Sequence, residues 1–196
     1  RKLARNAGVA EPVVLQRHGG LVENLTELEE GIRLLVFGQR GEAAFVATEH
    51  PGSHLERVAR AMHRPILVTT EEFQAPQRVM LAFDGSATTF KGVEMVAASP
   101  LFRGLPCHLV MVGSETASAR RKLDRARKTL EEGGFEAPAT ILAGEVESTL
   151  NQYQRDNNID LMIMGAYGHS RIREFLIGST TTAMLRKSAV PLLLLR

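Results

Sequence analysis

The chain has 196 residues, 44% apolar and 23% charged, with a formal net charge of +2 at pH 7. That is apolar material enough for a packed core, in a chain longer than one typical α/β domain and short for two. No apolar run nears the ~20 residues of a membrane span, Arg1-Lys-Leu-Ala-Arg-Asn6 lacks the apolar segment of a secretion signal, and the single cysteine, Cys107, excludes an intrachain disulfide; a reducing cytoplasm is expected.

Taken in chain order, Arg1 to Ala7 reads as the end of a helix and Pro12 to Leu15 as a short strand. Val22-Glu23-Asn24 opens a second helix, and Leu34-Leu-Val-Phe-Gly38 is an apolar run bounded by glycine, the mark of a buried strand. Gly38-Gln-Arg-Gly41 and Gly52-Ser53 follow, and Pro65-Ile-Leu-Val68 is the next strand. The charged run Glu71 to Arg78 reads as a linker.

After it the chain alternates strand and helix. Arg78 to Phe83 is a strand, Thr88 to Ala98 a helix with Phe90 and Val93 inward, and Leu105 to Val112 a second strand. Glu115 to Glu132 carries Arg120, Arg121, Lys122, Arg125, Arg127 and Lys128, but Leu123, Ala126 and Leu130 interleave at helical spacing. That is an amphipathic helix with a solvated basic face, and no aromatic residue alternates with the charges to stack on bases, so no nucleic-acid partner is expected. Ala139 to Leu142 is a third strand, Val146 to Asn157 a helix, Leu161 to Met164 a fourth strand, Ser179 to Ser188 a helix and Pro191 to Leu195 a fifth strand. This alternation calls for a parallel sheet covered on both faces, with a ligand crevice at the strand C-termini.

The two stretches repeat one another. Leu34 to Gly41 echoes Leu161 to Gly168, Gly52-Ser53 echoes Gly178-Ser179, Pro65 to Val68 echoes Pro191 to Leu194, and Val22-Glu23-Asn24 echoes Val146-Glu147-Ser148. Residues 1–70 are thus read as the C-terminal part of a first domain, 71–77 as a linker and 78–196 as a complete second domain. The first copy has no counterpart of the first strand, its helix or the second strand, and the chain is read as part of a longer tandem protein. The last strands, Pro65 to Thr69 and Pro191 to Leu195, are expected to pair the copies as a pseudo-dimer or to support a homodimer, because Pro191-Leu-Leu-Leu-Leu195 lacks polar alternation and its edge invites pairing.

The motif with most chemistry is Gly165-Ala-Tyr-Gly168, nine residues, then Gly178-Ser179-Thr180. Glycine lets the backbone turn sharply and approach a ligand, and the helix start offers N–H groups and hydroxyls to an anion. It is neither the P-loop nor the dinucleotide fingerprint. The pattern G-x-x-G, nine residues, G-[ST], following a buried strand, resembles the nucleotide-binding signature of the universal stress protein family. The resemblance implies a doubly wound, Rossmann-like α/β fold with a five-stranded sheet in the order 3-2-1-4-5, and ATP as ligand, with or without Mg2+. It implies that Asp84, at the tip of the first strand, meets adenine, that backbone groups at Val112 assist, and that Gly165, Gly168, His169, Gly178, Ser179 and Thr180 hold the phosphates.

Other readings stand beside these. Asp84-Gly85 alone is an ordinary turn and Ser86 an ordinary helix cap. His169, Arg171 and Arg173 equally suit a solvated loop. His50 and His54 are four apart, but Pro51-Gly52 breaks a shared helix face, so no metal site is expected. In the first copy ten residues separate Gly41 from Gly52, and Glu42 and Glu49 bring negative charge where phosphates would lie, so one ATP per chain is expected. The function implied is ATP-dependent regulation in a stress response. The alternatives are a slow ATPase or phosphotransferase, for which there is no P-loop lysine or second carboxylate, and a scaffold that binds no nucleotide.

Overall fold

The computed structural model describes residues 1–39, 53–72, 74–166 and 179–195. Seven strands form one sheet: β1 Leu35–Gly38, β2 Ile66–Thr69, β3 Val79–Ala82, β4 Cys107–Val112, β5 Ala139–Leu142, β6 Leu161–Gly165 and β7 Leu192–Leu195. Their order is β1-β2-β7-β6-β3-β4-β5. All neighbours are parallel except β2 and β7, which run antiparallel with Ile66 opposite Leu194 and Val68 opposite Leu192. The five strands after residue 78 are contiguous in the sheet, and the strands on either side of residue 70 meet last strand to last strand.

The helices are α1 Lys2–Asn6, α2 Leu21–Leu28, α3 Ser53–Ala61, α4 Ala87–Ala98, α5 Ala117–Glu132, α6 Val146–Asp156 and α7 Ser179–Lys187. The central strands are apolar on both sides, and each side has its own core. On one, Leu81, Leu109, Ile163 and Leu193 pack with Val93 and Val96 of α4 and Leu123, Ala126 and Leu130 of α5. On the other, Met80, Val110, Met162 and Leu194 pack with Val58 of α3, Met62 just past its end, Leu150 of α6 and Met184 of α7. The second core draws on both halves of the chain, so the halves share interior as well as a strand pair. The outer face of α5 carries its charge in water: Arg127 and Lys128 pair with Glu131 and Glu132 one turn on, and Arg125 lies over the Phe90 ring, 5.1 Å from its centroid.

Residues 12 to 15 do not form the strand expected of them. Val13, Val14 and Leu15 are 81%, 55% and 63% exposed and lie in irregular chain. A strand exists only by exchanging hydrogen bonds with a neighbour, and among the described residues nothing stands beside this segment to supply them. The segment leading into β3 is tied down: the Asp160 carboxylate accepts from the backbone N–H groups of Gln77 (2.8 Å) and Arg78 (3.0 Å). No helix among the described residues is long and apolar enough to cross a membrane.

A candidate nucleotide site at the strand tips

Strand order reverses beside β3. The chain goes from β3 to β4 and β5 on one side, then crosses over to β6 and β7 on the other. Diverging crossovers leave a crevice at the C-terminal tips of the strands where the direction changes, here β3 and β6. Phe83 N–H still donates to the Val110 carbonyl at 2.8 Å, and there the β3 ladder stops.

The next residue is Asp84, exposed at the tip. Its Oδ1 accepts from Ser86 N–H at 2.9 Å and from the Thr89 hydroxyl at 2.8 Å. Gly85 between them has φ +73°, a conformation that costs other residues a steric clash, and a Cβ there would also meet Lys122 Cδ at 2.8 Å. Ser86 then caps α4, its hydroxyl accepting from Thr89 N–H at 3.2 Å. The turn-and-cap reading therefore holds, and the same hydrogen bonds fix the Asp84 carboxylate at the crevice rim.

Val112 is half-buried at the end of β4, opposite Leu142 of β5. Since Ala82 stands opposite Val110, continuing the register puts Asp84 level with Val112, where β3 no longer pairs with β4. On the other flank Ala82 stands opposite Met164, so Gly165 ends β6 one residue beyond. A Cβ at Gly165 would sit 3.2 Å from Thr89 Cγ2 and 3.6 Å from Thr88 Cγ2, so the absent side chain admits the first turn of α4.

Asp84, Val112 and Gly165 are thus brought to one end of the sheet on three adjacent strands. Gly168, His169 and Gly178 lie outside the described residues, as do Arg171, Arg173, His50 and the first copy's Gly41, Glu42 and Glu49. Of Ser179 and Thr180 the helical backbone alone is described. Two residues that sequence reasoning missed belong here. Thr89 is buried between the two flanks, its hydroxyl donating to Asp84 and its methyl standing where it would crowd a Cβ on Gly165. Lys122 crosses from α5 over Gly85. The serine cap three residues before Thr89 was a signal for the first; nothing in the sequence marked the second.

A histidine with a shifted pKa lies toward the opposite end of β4. His108, whose Nδ1 is 2.9 Å from the Tyr153 hydroxyl, is held below its ordinary pKa by burial and by Arg78, but it sits at the start of β4, away from the tips. A separate open groove along α6, lined by Leu142, Ser148, Asn151 and Gln152 among others, includes none of the three tip residues.

Residues 76–196 match the model of the universal stress protein family. A universal stress protein of Synechocystis is 40% identical over 194 residues, which are 98% of this chain and 68% of that relative. The crystal structure of a universal stress protein from Archaeoglobus fulgidus superposes with a TM-score of 0.70 at 21% identity, covering 88% of this chain; the chain spans 65% of that protein's length. A further universal stress protein structure, solved in complex with cAMP, matches 63% of this chain and 98% of its own at a TM-score of 0.53 and 20% identity. The chain belongs to the universal stress protein family.

Proposed function

We propose that this chain is an ATP-binding regulatory protein of the stress response, with the nucleotide held by residues 78–196 and residues 1–70 forming the C-terminal part of a first, non-binding copy. The observation that carries the reading is the meeting of Asp84, Val112 and Gly165 on adjacent strand tips where strand order reverses. A carboxylate there accepts from an adenine amino group or a ribose hydroxyl, and exposed backbone at the end of β4 offers further donors and acceptors to the base. In this reading Gly165, Gly168 and Gly178, with Ser179 and Thr180 at the start of α7, would hold the phosphates, and His169 and Mg2+ would add positive charge. The cAMP carried by one fold relative is chemistry of the same class. Binding, rather than turnover, is taken as the working event, read out as a change of conformation or partner. A reducing cytoplasm suits the buried lone thiol of Cys107.

Calorimetric titration of ATP into the protein and into Gly168→Val tests this. Saturable binding to the first and a loss of tenfold or more in the second is expected, since a β-branched residue resists the glycine turn. Equal titrations would remove the glycine loop from the site, and no binding to either would leave the scaffold reading.

A further inference from the structure

α7 is the helix whose start belongs to the proposed phosphate site, and its other end is held by the opposite half of the chain. Nine helical residues advance about 14 Å at 1.5 Å each, so its last turn lies well away from the strand tips of β3 and β6. Because β2 and β7 are antiparallel, the tip of β1 points the opposite way from the tip of β6, toward that last turn.

There Gln39, the first residue past β1, donates from Nε2 to the carbonyls of Leu185 (3.0 Å) and Ser188 (3.3 Å). These belong to the group of carbonyls that a helix end leaves without intrahelical partners. Beside them Arg186 Nε donates to Oε1 of Glu56 on α3 at 2.9 Å, and the Glu56 side chain is only 12% exposed. Met184 and Leu185 are buried in the core that α7 shares with α3. Sequence separations of 130 to 149 residues make these contacts between halves, not within one.

We propose that the N-terminal half positions the nucleotide site of the C-terminal half through α7, with Gln39 and Glu56 as positioning residues. This rests on the nucleotide reading above. A short, packed helix moves as one body. Fixing its C-terminal turn sets the aim of its N-terminal N–H groups before the ligand arrives, and that ordering no longer has to come from binding. Linkage makes the effect mutual: if the clamp favours ATP, ATP favours the clamp.

The test uses the whole chain with ATP as the probe. Gln39→Ala and Glu56→Gln are each expected to weaken ATP binding about fivefold or more, a usual coupling between sites. Arg186→Gln added to Glu56→Gln should do no further harm, because both remove one contact. The charge swap Glu56→Arg with Arg186→Glu should recover part of the affinity, and urea midpoints of the same variants separate lost coupling from lost stability. Glu131→Gln on the outer face of α5 is the control. In the unaltered protein, ATP should slow amide exchange in α3, in the other half of the chain. If a variant fails to fold, this exchange measurement decides. Unchanged affinity in both single variants, or ATP binding without protection of α3, overturns the proposal. Absence of ATP binding to the unaltered chain overturns the nucleotide reading first and this inference with it.

Discussion

Asp84 has a structural role in the turn and a proposed role at the ligand, and one substitution tests both. Its Oδ1 holds the β3–α4 turn through Ser86 N–H and the Thr89 hydroxyl, and the same carboxylate is proposed to meet the nucleotide. Asp84→Ala should cost about 1 kcal/mol of stability in denaturant unfolding, since Ser86 N–H loses its acceptor while the Thr89 hydroxyl keeps the Ser86 carbonyl, and should weaken ATP tenfold or more. A stability loss with ATP affinity intact would reduce Asp84 to a turn residue. Cys107 gives a second check at this scale. Burial raises its thiol pKa to about 12, so at pH 8 it is almost wholly protonated and iodoacetamide should modify it only as fast as the protein unfolds. Prompt stoichiometric labelling of the native protein would contradict the described core. Asp84-Gly85-Ser86 was legible in the sequence because turn and cap chemistry is local. Thr89 and Lys122 were not, since their roles depend on β6 and α5 being folded beside the turn.

Among elements, the β2–β7 seam carries the most structural consequence. Leu194 is fully buried opposite Ile66, whereas Val36 on β1 is 57% exposed. Leu194→Ala should cost about 2–5 kcal/mol, from lost transfer energy and the cavity left behind, and Val36→Ala under about 0.5 kcal/mol, as for most surface changes. Urea midpoints of the two variants measure this, and similar shifts would mean that the seam does not form in solution. An apolar strand at a sheet edge advertises a partner in the sequence, and Pro191 to Leu195, its echo at Pro65 to Thr69 and the family resemblance together pointed to this pair. Pro12 to Leu15 shows the opposite case. Its apolar pattern is strand-like, yet a strand is a property of two segments, and pattern in one says nothing of whether the second is present.

For the whole molecule, the sheet runs unbroken through both halves, but the two sets of strand tips face opposite ends. A ligand at the tips of β3 and β6 would therefore lie at the opposite end of the sheet from the tip of β1. Internal repetition in the sequence, with matched glycines and strands at nearly constant spacing, is what suggests a two-copy plan. The coupling through α7 was invisible there: Gln39 and Leu185 are 146 residues apart, and only folding brings them together. The most direct test of the central claim is the stoichiometry of ATP binding to the intact 196-residue chain by calorimetry. One site per chain, abolished or weakened at least tenfold by Asp84→Ala, is predicted. Two equivalent sites, or no saturable binding at all, would contradict it.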